Sequence, residues 1–341
     1  MDTVTTEKLI ELDYIPDGLL DASPQSLHSI LPQPCLIHLA GKSSSTLFVS
    51  VLLHGNEPTG LLAVQALLKK YQQQQLPRSL SLFFGNTEAA SHGLRRLDQQ
   101  ADFNRIWPGT PIEECRETRM AAKIVDAMKT RELFASIDIH NNTGLNPHYA
   151  CITSLEPEFL QLATLFGRFV VYFTRPQGVQ SGCFAKLCPA VTLECGRPDQ
   201  RYGVEHALDF LESCLHLAQF PTHPVHHQDI DLFHTVAQVK IKDNIQFSFS
   251  DPDADLLLST DLEQLNFNEV SAGTVIGTIT NSIELPLVAV DEHGQDVSEQ
   301  FFSIEKNQLI ISRTTMPSML TLNEKVIQQD CLCYLMERLA I

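Results

Sequence analysis

Cations are scarce in this chain: 24 Lys and Arg stand against 41 Asp and Glu, a formal net charge of −17 over 341 residues. A field of that sign repels nucleic acid and anionic membrane surfaces, so neither is expected as a partner. Long apolar runs are missing as well, and none approaches the ~20 residues needed to cross a bilayer. The opening residues MDTVTTEKLIELD lack both a basic n-region and an apolar h-region, which argues against a secretory leader. The nine cysteines are odd in number and include no CxxC pair. A disulfide framework is therefore not expected, and a reducing, cytoplasmic setting fits. The charge deficit also sets a condition. An anionic small molecule would be repelled at long range, so any pocket for one has to carry its own arginines.

What is present is an ordinary globular composition, 43% hydrophobic, in a chain long enough for two domains. TLFVSVLL (46–53), SLSLFFG (79–85), FASIDI (134–139), RFVVYF (168–173) and AVTLE (190–194) read as buried strands. Helical patterns lie between them: one entered at Pro58 and Thr59, others over 116–131 and 202–219. This alternation predicts an α/β fold, a mixed, largely parallel sheet flanked by helices. Ligands of such sheets gather beyond the carboxyl ends of the strands. His54, Asn86, His140 and Glu194 all fall there.

The pattern breaks at FPTHPVHHQD (220–229), and short strands follow in VAQVKIKD, IQFSFS, GTVIGTITN and QLIISR. The predicted division is an N-terminal extension over 1–34, an α/β domain over 35–224 and a small β-rich domain over 225–341 ending in a helix. That helix, over 323–341, rests on Leu332, Leu335, Met336 and Leu339 sharing one helical face. Packing on the body is the simpler reading of the stripe, and a homo-oligomer contact the lesser one.

The main chemical signal is His54-Gly55-Asn56-Glu57, the one HxxE in a chain with thirteen histidines. Zinc in hydrolases commonly takes two His and one carboxylate and keeps a position open for water. A surface His and Glu at helical spacing would explain the tetrad equally well without a third ligand. His140, closing an apolar strand, supplies that candidate, and Asp138 two residues earlier is placed to orient a ligand. Arg95, Arg96 and Arg105 are the local cations that the charge argument requires; a planar guanidinium grips carboxylates bidentately. Glu194 ends an apolar strand, where a low dielectric raises a carboxyl pKa toward the range useful for general acid/base work. Surface salt bridging is the plain alternative for each arginine, and an arginine pair for Glu194. The histidines 223, 226, 227 and 234 form another metal candidate, better read as part of a linker.

HGNEPTG, the Asn86…Arg95…DFNR segment, DIHNNTG and TLECG occur in one order that resembles the succinylglutamate desuccinylase/aspartoacylase family of the zinc carboxypeptidase superfamily. The likeness covers roughly residues 45–225. It implies a carboxypeptidase-like fold, one zinc ion per chain on His54, Glu57 and His140, and Glu194 as acid/base. It further implies that Arg95 polarises the scissile carbonyl, with Arg96 left open by a slightly longer interval to DFNR. Asn104, Arg105 and Asn141 are expected at the substrate, a small anionic N-acyl amino acid. The trailing β-domain would narrow the entrance against peptides. Where aspartoacylases carry a further substrate arginine this chain has Phe184, leaving Arg175 and Lys186 as the nearby cations to take that role. A small-peptide carboxypeptidase and a non-catalytic metal-binding protein are the alternative functions.

Overall fold

The computed structural model describes residues 9–198, 200–280 and 284–340. The first eight residues of the predicted N-terminal extension, and with them most of the stretch read against a leader, lie outside the described residues. Nine strands lead into the architecture: β1 (Ile10–Leu12), β2 (Cys35–Leu39), β3 (Gly41–Val51), β4 (Leu76–Phe84), β5 (Leu133–His140), β6 (Tyr149–Ile152), β7 (Phe169–Tyr172), β8 (Ala190–Glu194) and β9 (Asp231–Ile241). They belong to a 12-stranded sheet in the order β1-β2-β4-β3-β5-β8-β6-β7-β9, continued by Cys333–Arg338 and Met316–Ser318. Leu287–Asp291 also pairs with β9. The centre, β4-β3-β5-β8, is parallel throughout. Parallel strands covered on both faces read as continuous apolar runs, which is why Leu47–Val51 and Ala190–Leu193 were legible. The mixed, largely parallel sheet expected from the sequence is therefore found.

Helices α1 (Thr59–Lys70), α2 (Thr87–Ser91), α3 (Arg116–Lys129), α4 (Pro157–Phe166), α5 (Gln180–Phe184) and α6 (Arg201–His216) connect these strands. The face of α1 carrying Leu61, Val64, Leu67 and Leu68 is buried. A second sheet of five short strands lies between Phe247 and Ile311. One apolar cluster runs from Leu19 to Leu232 and another from Ala237 to Leu335, so β9 contributes to both.

The predicted helix over 323–341 is corrected. Only Glu324–Gln329 is helical, capped by the Asn323 side chain, and Cys333–Arg338 is a strand between β9 and Met316–Ser318. The apolar run 331–336 is buried along its whole length. A run buried on both faces satisfies helical spacing by accident, and two open strand edges decide the matter.

Candidate active site

The site lies at the carboxyl ends of β3, β5 and β8. β5 ends on His140 and β8 on Glu194, and these two residues are register partners. From β3 the chain turns through Leu52, a buried residue at φ 56, before reaching His54. A leucine in the left-handed region is strained, and such strain collects at functional sites. Gly55 follows because nothing larger fits. A Cβ there would stand 2.2 Å from the Ala90 backbone nitrogen at α2.

His54, Glu57 and His140 are buried, and one ligand atom from each lies within 4.8 Å of the others. Glu57 is the hub. Its Oε1 is 2.9 Å from His54 Nδ1, its Oε2 2.7 Å from His140 Nδ1, and the Asn141 backbone N–H donates to Oε2 at 3.2 Å. The far nitrogens are held by carboxylates: His54 Nε2 sits 3.0 Å from Asp102 and His140 Nε2 2.7 Å from Asp138. A ring whose outer nitrogen is fixed this way presents the other to a metal in a set orientation. Burial pulls both imidazoles down, yet the flanking carboxylates outweigh it and leave both above the ordinary range. Burial likewise pushes Glu57 up, but the two imidazoles overcome it and hold the carboxyl far below its usual value. Two histidines converging on one glutamate, with carboxylates behind them, form a donor set that fits a divalent ion such as zinc. Among the described residues this is the only such group of three. His226 and His227 are exposed and tilted against each other, as a linker allows, whereas His234 lies in β9 with its ring against Tyr172, which corrects the linker reading for that residue.

Glu194 is 7% exposed and opens on the same cavity. Burial, and after it the neighbouring Glu57 charge, raise its carboxyl to about 7 against the opposing pull of His140. Asn142 Nδ2 donates to it at 3.4 Å.

The arginines separate by role. Arg96 donates to the backbone carbonyls of Leu97, Asp98 and Gln100 and lies off the cavity. Arg95 lines it, with Nη1 3.5 Å from Glu57 Oε1 and with Nε and Nη2 on Asp102 at 3.3 and 3.0 Å. Arg105 lines it too, donating through Nη1 to Asn104 O and through Nη2 to Asp330. Asn104 and Asn141 reach the cavity, and their side chains also bond the frame. Asn104 Oδ1 accepts from Gln180 N, while its Nδ2 stands 3.2 Å from His140 Nε2. Asn141 Oδ1 accepts the Thr59 N–H at the start of α1, and its Nδ2 donates to Gly196 O. Phe184 stacks on Phe48 in the core. Of the two cations left to replace the missing arginine, Arg175 lines the cavity and Lys186 does not.

The cavity is partly open, and its empty space of about 660 Å³ includes the solvent at its mouth. Its remaining wall is largely apolar: Tyr149, Cys151, Val171, Phe173, Val179 and Met319. Sequence reasoning missed Asp330 and Tyr334, which enter from the C-terminal segment with no local pattern to mark them. Asp102 stood in the DFNR block without a role until the fold brought it to His54 and Arg95.

The succinylglutamate desuccinylase/aspartoacylase catalytic-domain model matches residues 43–213. No curated protein matches the sequence. Among solved structures, succinylglutamate desuccinylase from Chromobacterium violaceum superposes with a TM-score of 0.57 at 18% identity, over 89% of this chain and 86% of its own. Succinylglutamate desuccinylase/aspartoacylase from Rhodobacter sphaeroides gives 0.58 at 15%, over 89% and 88%. Murine aminoacylase 3 gives 0.57 at 14%, over 88% and 97%. At these identities the likeness is one of fold.

Proposed function

Because this chain belongs to the succinylglutamate desuccinylase/aspartoacylase family, we propose that it is a zinc-dependent amidohydrolase that cleaves the amide bond of a small N-acylated amino acid. The observation that carries this reading is the meeting of the His54–Glu57–His140 group and Glu194 in one cavity that Arg95, Arg105 and Arg175 also line. His54, Glu57 and His140 would hold the ion, whose Lewis acidity activates water and polarises a carbonyl.

The chain's own residues supply the rest. Glu194, near neutrality in its pKa, accepts a proton from the attacking water and returns it to the departing amine, so no net proton is consumed. Arg95 offers Nη1 beside the metal group, where charge develops on the carbonyl oxygen. Donors in that role contribute roughly 3–4 kcal/mol. Arg105 has spent two of its five N–H groups, and those remaining can pair with the substrate carboxylate. Asn104 and Asn141 hold His140, Glu57 and α1 in register. Arg175 stands ready for a second anionic group, its guanidinium anchored among the described residues through Nε to Glu292 O. Ser318, Met319, Asp330 and Tyr334 close the cavity from the C-terminal segment, which favours small substrates over peptides.

The test is a panel of N-succinyl, N-acetyl and N-formyl amino acids alongside dipeptides, with the protein's zinc content measured. Turnover of an acylated amino acid well above any dipeptide is expected. Preference for dipeptides would mean a carboxypeptidase, and no turnover by zinc-loaded protein would sink the enzymatic reading.

A further inference from the structure

Asp330 lies beyond every motif that marks the site, yet it sits at the site's centre. Its Oδ1 accepts from Arg105 Nη2 at 3.0 Å and its Oδ2 from Arg95 Nη2 at 3.2 Å. Both guanidiniums are largely buried, with side-chain exposures of 20% and 7%. Two like charges held this close in a low dielectric repel strongly, and the carboxylate between them is what permits the arrangement. We infer that Asp330 is a positioning residue for the reaction: one carboxylate from the C-terminal segment that fixes Arg95 and Arg105 side by side and selects which of their N–H groups face the substrate.

The donor count supports the assignment. Asp102 and Asp330 together take Nε and Nη2 of Arg95, leaving Nη1, the nitrogen next to Glu57. The fork is thereby oriented toward the metal group. On Arg105, Asp330 takes Nη2 while the Asn104 carbonyl takes Nη1, so two directions of its plane are fixed. Asp330 is itself anchored on both sides. Its backbone N–H donates to Val326 O at the end of the short helix, and three residues later the chain enters the strand paired with β9. The result is a continuous path, Arg105–Asp330–Arg95–Asp102–His54, from the C-terminal segment to a candidate metal ligand. On this inference the C-terminal segment completes the electrostatics of the site in addition to narrowing its mouth.

The kinetic arm of the test rests on the deacylase reading, and the binding arm does not. Both use the full-length protein. Asp330→Ala vacates a carboxylate-sized place between two arginines, so sodium formate should raise the melting temperature of this variant and leave wild type unmoved. With an acyl amino acid that wild type turns over, Asp330→Ala should lose about tenfold or more in kcat. Formate should restore part of that loss, while zinc content and KM stay near wild type. If Asp330→Ala does not accumulate folded, Asp330→Asn carries the test. It keeps the volume and removes the charge, so kcat should fall with KM unchanged or lower, because net positive charge remains for an anionic substrate. Wild-type kinetics in the folded variant would overturn the inference, as would a melting temperature of Asp330→Ala indifferent to formate. If wild type hydrolyses nothing on the panel, the deacylase reading fails and the formate-dependent melting alone decides this one.

Discussion

Replacing Glu194 by glutamine removes a charge while keeping the shape, and the structure assigns opposite effects on rate and stability. Burial holds the Glu194 carboxyl at about 7 against an ordinary 4.5. In the unfolded chain it ionises near 4.5, so between these values the native state keeps a proton that the unfolded state has released. Stability therefore falls as pH rises through that window, and above pH 7 the full cost of the buried charge is present. A difference of about 2.5 units corresponds to roughly 3 kcal/mol. Glu194→Gln never bears that charge. In metal-free protein, urea titrations at pH 8 should find it more stable than wild type by about 2–3 kcal/mol, and the advantage should shrink toward zero near pH 5. Its turnover with zinc restored should fall by the 10²–10⁴-fold typical of a lost general acid/base, or more. Stability and activity diverge because the burial that makes Glu194 a useful base also makes it costly. A variant no more stable than wild type at pH 8 would refute burial as the cause of the raised pKa. Near-normal turnover would mean that another residue moves the proton.

His54→Ala or His140→Ala should abolish tight zinc binding while His226→Ala retains it, a contrast that metal analysis after dialysis checks directly; full occupancy without His140 would remove the assignment. Arg105→Lys should cost at least tenfold in kcat/KM for a free acid, because a point charge replaces a planar fork, and the acid's advantage over its methyl ester should shrink with it. If the ester ratio is the same in wild type and Arg105→Ala, the carboxylate is held elsewhere. Arg175→Ala should raise KM for dicarboxylic N-acyl substrates about tenfold and leave monocarboxylic ones little changed, which a paired succinyl and acetyl series would measure.

The parts of this protein that were legible in sequence are those fixed by short-range rules. β8 falls on AVTLE as read, and β5 ends on His140, because central parallel strands are continuous apolar runs that stop where polar chemistry begins. The ligands lie at such ends, so finding the strands nearly finds the site. Cys333–Arg338 was illegible because an apolar run buried on both sides carries no period of its own. Asp330 was illegible for a different reason. Its partners lie 225 and 235 positions away in the chain, and an ion pair at that distance leaves no local pattern. Phe184 shows a third limit. A motif identifies a vacant role, but only the fold reveals that the residue standing there has joined the core and that Arg175 faces the cavity.

The charges of the site favour a divalent ion independently of its geometry. Leaving Glu194 aside, four carboxylates surround the cluster: Glu57 and Asp138, which are buried, and Asp102 and Asp330, which are partly buried. Two arginines, Arg95 and Arg105, oppose them. With neutral imidazoles the balance is a surplus of two negative charges in a place where unpaired charge is expensive. The upward shift of both histidines follows from these carboxylates, Glu57 and Asp102 at His54 and Asp138 and Glu57 at His140, which outweigh burial. A divalent ion held by His54, Glu57 and His140 would cancel the surplus and leave the imidazoles free to be neutral donors. Among the described residues of the cavity, Glu194 is a buried carboxyl that takes part in no ion pair, which leaves it free to exchange a proton. The carboxylates nearby each have a task already: Asp102 and Asp138 face histidines, and Asp330 faces both arginines. An acidic chain thus arrives at a site balanced enough to admit an anion, and it does so by distributing carboxylates behind its cations rather than by collecting cations alone.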